Sequence, residues 1–232
     1  MHSINEIPAW DRLLKRIVWK QIGPINGKRV LDFGSGQGIT ANYFAKCNEV
    51  TAIEPSEKML FDSWKDYEYT QIIGDEKNLK EFESNSFDFI LCHNVLEYIK
   101  DKQLVINELS RLLKKDGTIS IVKHNRPGRV MQMAVLLNDL EKANGLLDGK
   151  NSTASQFGEI RYYNDEDILK WCPDLNINEC LGIRTFWDLQ QNQEMHDDES
   201  WQKSMMSLEM RCSNIEEYRN IAFFHHLLIN KK

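Results

Sequence analysis

Three glycines at alternate positions, Gly34, Gly36 and Gly38, follow the run Val30-Leu31-Asp32 in VLDFGSGQGITANYFA. Glycines between a strand and a helix allow a tight turn and bring a ligand close to the backbone, where a Cβ would block it. A second acid, Glu54, ends the apolar run EVTAIEP, 20 positions after Gly34. There a carboxylate can accept hydrogen bonds from both hydroxyls of a ribose. A third acid, Asp75, lies in GDEKNL, and His93-Asn94 closes FDFILCHN. Asp75 can accept from the amino group of an adenine. Each has a bland reading alone: a turn made for folding, or an acid in a solvated loop. Four such groups at four successive strand ends are hard to attribute to chance.

The elements that position them alternate from residue 10 to about 125. WDRLLKRIVWKQI has helical periodicity, with Trp10, Leu13, Leu14, Ile17 and Val18 on one face. KRVLDF, EVTAIEP, YTQIIGD, FDFILCHN and TISIVKHN read as strands. Between them Thr40 to Lys46, SEKML with Ser56 as N-cap, and DKQLVINELSRLLKK, ending near Asp116-Gly117, read as helices. Beyond, DEDILKWC and DDESWQKSMMSLEMRC are helical, and NECLGIRTFWDL and NIAFFHHLLIN are strands. Alternation of this kind gives an α/β fold with a largely parallel sheet, in which ligands bind beyond the carboxyl ends of the strands.

The spacing separates two adenosine ligands. A nicotinamide dinucleotide asks for GxGxxG, which would put the last glycine at 39, but Ile39 stands there. Asp32 would sit poorly beside a pyrophosphate and suits a cation. An adenosine with no phosphate and a positive charge at its far end is S-adenosylmethionine.

The motifs VLDFGSGQG, AIEPSEKML, GDEKNL, FDFILCHNVLEYI and LLKKDGTISIV, over about residues 28 to 123, resemble those of the class I S-adenosylmethionine-dependent methyltransferases. The resemblance implies a Rossmann-like doubly wound α/β fold, a seven-stranded sheet with the last strand antiparallel; the weakened, mixed helical and polar pattern between Asn125 and Ser155 adds a helical insertion or lid. It implies a cofactor site of Asp32, Gly34, Ser35, Gly36, Gly38, Glu54, Pro55, Met59, Asp75 and Glu76. HNVLEYI, HNRPGRVMQ, LGIRTFWDL and SLEMRCSN further resemble the tRNA 5-carboxymethoxyuridine methyltransferases, which esterify the carboxylate of a modified wobble uridine. That branch places His93 against the cofactor, adds an arginine of the first helix (Arg12 or Arg16), and matches Arg184 to its GxRxF segment.

Methyl transfer is an in-line displacement, so the protein mainly aligns donor and acceptor. A carboxylate acceptor is ionised near pH 7 and needs no general base. It needs a cation, for which Arg184 is the first candidate, with Arg126 and Arg161 behind it; Asn125 and Tyr98 complete the candidate substrate side. A hydroxyl or amine acceptor would want a base, for which His93, Glu97 and His124 are placed. Lys123, His124, Arg126 and Arg129 form a basic cluster that suits an RNA backbone, and otherwise reads as a solvated loop. Tyr98, Tyr162, Tyr163 and Trp187 are candidates to stack a flipped base, against a plain core role. Trp201, Met205 and Leu208 read as core or a dimer contact. Adjacent residues on a strand face opposite ways, so His225-His226 reads as one buried and one exposed, with no metal.

The chain has 232 residues and a formal net charge of −6, which excludes a uniformly basic nucleic-acid-binding surface. Five cysteines without a CxxC pair read as isolated buried thiols. With no membrane-length apolar run and no apolar leader, the expectation is a cytoplasmic monomer or homodimer. We expect one domain: an N-terminal helical cap (1–27), a cofactor-binding core (28–124), an insertion or lid (125–160) and a C-terminal half (161–232). The first functional reading is methyl transfer from S-adenosylmethionine, leaving S-adenosylhomocysteine, to a tRNA carboxylate. The alternatives are a small-molecule carboxyl, O- or N-methyltransferase, and a non-catalytic cofactor-binding module.

Overall fold

The computed structural model describes residues 1–154 and 158–232; three residues of the expected insertion, 155–157, lie outside the described residues. The strands are β1 (Arg29–Phe33), β2 (Glu49–Glu54), β3 (Thr70–Ile73), β4 (Phe87–His93), β5 (Leu113–His124), β6 (Ser152–Ala154), β7 (Gly158–Ile160), β8 (Leu175–Ile183) and β9 (Phe224–Lys231). Seven of them form one sheet in the order β3-β2-β1-β4-β5-β9-β8. The first five pair in parallel, and β9 runs antiparallel between β5 and β8. This is the doubly wound, seven-stranded sheet with its last strand antiparallel. β6 and β7 form a separate antiparallel pair.

The helices are α1 (Ala9–Ile22), α2 (Ile39–Ala45), α3 (Glu57–Phe61), α4 (Lys102–Leu112), α5 (Arg126–Met131), α6 (Leu140–Leu147), α7 (Asp165–Trp171), α8 (Glu199–Cys212) and α9 (Glu216–Arg219). The parallel strands are apolar at consecutive positions because helices cover both faces. Val30 packs with Ala41 and Phe44 of α2, while its neighbour Leu31 packs with Val105, Ile106 and Leu109 of α4. On the α2 side, α1 adds Leu13, Leu14, Ile17 and Val18, against Val122, Ile183 and Phe224, with α8 supplying Trp201, Met205 and Met206. On the α4 side, α7 adds Ile168.

Several local expectations shift. Trp10 precedes the buried stripe of α1 and is 48% exposed. α4 ends at Leu112, not near Asp116-Gly117, because Leu113 is already extended, buried and paired with Phe87. Gly117 therefore lies inside β5, where a Cβ would stand 2.9 Å from the Asp88 carbonyl oxygen. β8 begins at Leu175, earlier than expected, and is over before Arg184. His225 and His226 are both buried, since β9 is an interior strand with both faces covered. Cys47 is exposed and Cys180 half-buried, so not every thiol is a core residue. Leu208 is exposed, while Trp201 and Met205 pack.

The segment after β5 is anchored at its root. The Asn125 side-chain amide donates to the carbonyls of Asn220 (3.0 Å) and Ala222 (2.9 Å). A Cβ on Gly128 would stand 2.1 Å from the Ala222 carbonyl oxygen, so α5 lies directly on the backbone that leads into β9. Further out, α6, Met133 and Tyr162 form a small apolar cluster of their own. Gly128→Ala should cost about 2–3 kcal/mol of stability, because backbone cannot give way as a side-chain tip can. Urea denaturation checks this, and an unchanged midpoint would contradict the close packing.

Candidate functional site

The carboxyl ends of β1, β2, β4 and β5 open on one rim. Gly34, Gly36 and Gly38 all take positive φ (80°, 57° and 69°), where side chains are strained. Gly34 is also sterically bound: a Cβ there would meet Val95 Cγ2 at 2.3 Å. Glu54 ties two loops together, accepting from the Gly36 amide (2.8 Å) and the Ser56 amide (2.9 Å). Ser56 in turn caps α3, accepting from the Met59 amide at 3.3 Å. Met59 lies over the glycine loop, its Cε 3.7 Å from where a Gly36 Cβ would be. Asp75 caps the 3-10 turn Glu76–Glu81, accepting from the Lys77 amide at 2.9 Å, and Pro55 is exposed. The structure thus brings together Asp32, the glycine loop, Glu54, Met59 and His93 at one rim, with Asp75-Glu76 beyond β3.

Asp32 is buried, and burial raises its pKa to about 7, with Lys15 acting in the opposite direction. Its Oδ2 and the Ser35 hydroxyl are buried without a hydrogen-bond partner. Orphaned acceptors at a glycine loop are what a bound cationic group would satisfy. The chemistry of these residues fits S-adenosylmethionine: Asp32 and the loop would take its charged amino-acid end, Glu54 the ribose and Asp75 the adenine.

The expected arginine of α1 is displaced by register. Arg12 turns toward α8, donating to Gln202 Oε1 (3.0 Å) and to the Asn5 carbonyl (3.4 Å). Arg16 donates to Asn5 Oδ1 at 3.4 Å. The cation on α1 that acts on both Asp32 and His93 is Lys15, paired only loosely with Asp11 at 3.9 Å. Sequence reasoning passed over Lys15 because the resemblance asked for an arginine.

On the acceptor side the expected arginines are largely engaged. Arg184 is buried at φ 60°, and its guanidinium forms a two-point ion pair with Asp188. It is not a free cation, nor is it a surface salt bridge. Arg126 donates to the Leu146 and Lys150 carbonyls (both 3.0 Å), which pins α6. Arg161 pairs with Glu159 at 2.8 Å. Asn125 spends its side-chain donors on backbone, as described. Tyr98 is half-buried, with its pKa raised to about 12 by burial. Tyr163 and Trp187 are buried and do not offer a face to a base; Tyr162 is half-buried beneath the Arg126 guanidinium (4.8 Å).

The basic cluster is likewise built inward. Lys123 is buried and pairs with Asp165 at 2.9 Å on the α7 side of the sheet. Asp165 also meets His225 (2.8 Å) and the Cys180 thiol (3.5 Å). The three ligand-type groups lie within 4.8 Å of one another, but the cation there is the Lys123 ammonium, and burial pushes the Cys180 thiol up to about 12.

Among the described residues of the acceptor side, Arg129, which the candidate substrate set omitted, keeps an unspent donor. Its Nε is buried without a partner, its Nη1 donates to Gln132, and its guanidinium lies 5.6 Å from the Phe223 ring centre. Gln132 donates onward to Asp188 at 3.1 Å. Beside it His124 is held neutral, its pKa lowered to about 3 by burial and by Arg129, Arg184 and Lys123; its Nδ1 also lacks a partner. Glu97, fully buried, accepts from the His124 amide at 2.6 Å and braces the end of β5. The only early signal for Arg129 was its membership of the basic cluster.

Residues 31–121 match the methyltransferase domain family. A ubiquinone biosynthesis O-methyltransferase of Salmonella paratyphi A is 30% identical over 127 residues, 51% of this chain and 52% of that protein. One from Actinobacillus pleuropneumoniae is 27% identical over 185 residues, 75% of this chain and 76% of the relative. The chain spans about half the length of the first curated relatives it matches. Among solved structures, an S-adenosylmethionine-dependent methyltransferase from Mesorhizobium loti aligns with TM-score 0.58 at 15% identity, covering 99% of this chain and 100% of the other. The [4+2]-cyclase SpnF aligns with TM-score 0.58 at 15% identity, covering 95% and 81%. These likenesses show the fold. None of the helices among the described residues is long and apolar enough to cross a membrane.

The buried acid gives a pH prediction. Ionising Asp32 without a ligand beside it costs roughly 4 kcal/mol more than in water. An acid with a raised folded pKa lowers stability as pH rises from about 4 to 7, because the folded state then holds the extra proton. Asp32→Asn should therefore raise Tm of the unliganded protein at pH 8. A cationic ligand favours the ionised form, so affinity for S-adenosylmethionine should rise between pH 6 and 8 with proton release, and Asp32→Asn should flatten that rise. Calorimetry in two buffers reads both; a pH-independent affinity in the wild type would contradict the assignment. Lys15→Met should weaken the same binding about tenfold, the worth of roughly one charge-assisted hydrogen bond, whereas Arg12→Met should leave it unchanged.

Proposed function

We infer, for a chain whose residues 31–121 form a class I S-adenosylmethionine-dependent methyltransferase domain, that it esterifies a carboxylate. The observation that carries this is Arg129, a half-buried guanidinium with an unsatisfied Nε, beside a His124 of lowered basicity and a Glu97 that is fully buried. S-adenosylmethionine, when bound, supplies a methyl group already activated on a sulfonium. An ionised carboxylate needs no deprotonation. His124 and His93 are both held neutral and weakly basic, which suits such an acceptor and disfavours a phenol or amine. Asp188 neutralises Arg184, which leaves Arg129 to hold the acceptor without two full charges quenching its nucleophilicity. The rings of Phe223, Phe224 and Tyr162 stand around His124 at 5.6, 4.7 and 6.4 Å and exclude water from that wall.

The carboxylate we assign first is that of a modified wobble uridine in tRNA. Its support is the run of branch motifs, HNVLEYI, HNRPGRVMQ, LGIRTFWDL and SLEMRCSN. A second reading, a small-molecule acceptor, is favoured by a specific observation: Lys123 and Arg126 spend their charge and donors inside the protein and leave less for an RNA backbone. The names of the curated relatives, ubiquinone biosynthesis O-methyltransferases, point the same way. The non-catalytic alternative requires that no acceptor turn over.

Incubation with methyl-labelled S-adenosylmethionine and tRNA from cells lacking this protein separates the readings. Label in tRNA that mild alkali removes is the expected result. Unlabelled tRNA, with label entering small carboxylates or phenols, would overturn the tRNA assignment. Arg129→Ala should lower kcat/KM for the acceptor by roughly 100-fold, as removing a desolvated charged partner does, while affinity for the methyl donor stays as it was. An acceptor kcat/KM within a factor of two of wild type would remove Arg129 from the site.

A further inference from the structure

His93 is one end of a hydrogen-bonded chain that crosses the sheet. Its Nε2 lies 2.8 Å from Ser120 Oγ. Ser120 Oγ lies 2.8 Å from His226 Nε2. His226 Nδ1 lies 2.7 Å from Gln21 Oε1, and Gln21 Nε2 donates to the Gly182 carbonyl at 3.2 Å. The strands make this possible: His93 of β4 and His226 of β9 both pair with Val122 of β5, which puts Ser120 between them on the same face. Ser120 and His226 are completely buried, so water does not compete.

The direction of the chain is fixed at its far end. A carbonyl only accepts, so Gly182 requires the amide nitrogen of Gln21 and turns the Gln21 oxygen toward His226. That oxygen takes the proton of His226 Nδ1. His226 Nε2 is then a lone pair and takes the Ser120 hydroxyl proton. Ser120 Oγ, having donated, accepts from His93 Nε2–H. His93, the last residue of β4 at the rim, is left with its lone pair on Nδ1. The reversed chain would set the Gln21 oxygen against the Gly182 oxygen. Burial and the neighbouring His226 keep His93 neutral, which agrees with this arrangement.

We propose that Gln21, His226 and Ser120 are positioning residues that lock His93 into one tautomer, so that Nδ1 accepts a hydrogen bond from the α-ammonium of the bound methyl donor. The inference rests on the cofactor reading above. Of the donor groups on S-adenosylmethionine, the ribose hydroxyls fall to Glu54 and the adenine amine to Asp75. The ammonium has three N–H donors, so Asp32 and His93 Nδ1 can both accept from it, and Lys15, whose charge reaches both, marks the same end of the site for the charged amino-acid group. One backbone carbonyl, three side chains away, thereby sets the hydrogen-bonding character of the site.

Two-bond 1H–15N spectra of protein labelled with 15N-histidine read the tautomer directly, with His93 assigned by its loss in His93→Gln. The expected wild-type result, without any ligand, is a protonated Nε2 and a bare Nδ1 from pH 6 to 8. Ser120→Ala should give mixed tautomers. It should also weaken S-adenosylhomocysteine about tenfold while leaving 5′-methylthioadenosine, which lacks the amino-acid end, unchanged. If Ser120→Ala does not fold, Gln21→Met makes the same comparison. A protonated Nδ1 in the wild type overturns the relay. Equal weakening of the two ligands overturns the ammonium contact. A wild type that binds neither ligand overturns the contact and the cofactor reading together, while the spectrum still decides the relay.

Discussion

The site exists because the chain leaves β1 in opposite directions. From β1 it winds outward through β2 and β3, then returns to lay β4 and β5 on the other side. Connections on the two sides of β1 diverge, and the crevice between them is left without backbone to fill it. Everything at the rim answers to that gap. The glycine loop folds back across it through three positive-φ residues. Glu54 crosses from β2 to fix that loop. Asp32, an acid inside β1 beside the gap, is buried with an oxygen unsatisfied.

Charge is distributed unevenly around this crevice. On the donor side, buried acceptors stand with the Lys15 cation nearby, an arrangement suited to a zwitterionic amino-acid end. On the acceptor side, four groups from α5, the turn after it and the segment after β8 form a line, Arg129–Gln132–Asp188–Arg184. The ion pair at one end of the line holds the other end in place. Breaking it by removing Asp188 would leave a buried guanidinium uncompensated, which is why Arg184 reads as architecture for Arg129. The same logic holds on the opposite face of the sheet, where Lys123, Asp165 and His225 join β5, α7 and β9.

The sheet and its rim were legible because their signals are local. An apolar run, an acid and a glycine turn are neighbours in sequence, and period-2 and period-3.6 patterns survive without knowledge of partners. The acceptor side was not, because its residues are defined by contacts across the fold. Arg184 looked like a free cation until Asp188 was seen folded back onto it. Lys123 looked like surface until β9 and α7 enclosed it. Gln21 and His226, separated by 205 positions, carry no sequence signal for their hydrogen bond. On α1 the choice between Arg12, Lys15 and Arg16 is a matter of helical rotation at about 100° per residue, so a small error of register points to the wrong cation.

The rim is read here as built for an adenosine with a cationic amino-acid end and no phosphate. Titration calorimetry of the purified chain with S-adenosylmethionine and, separately, with NAD tests it most directly. One S-adenosylmethionine should bind per chain, and the dinucleotide should not bind. Binding of NAD, or of neither ligand, would contradict it.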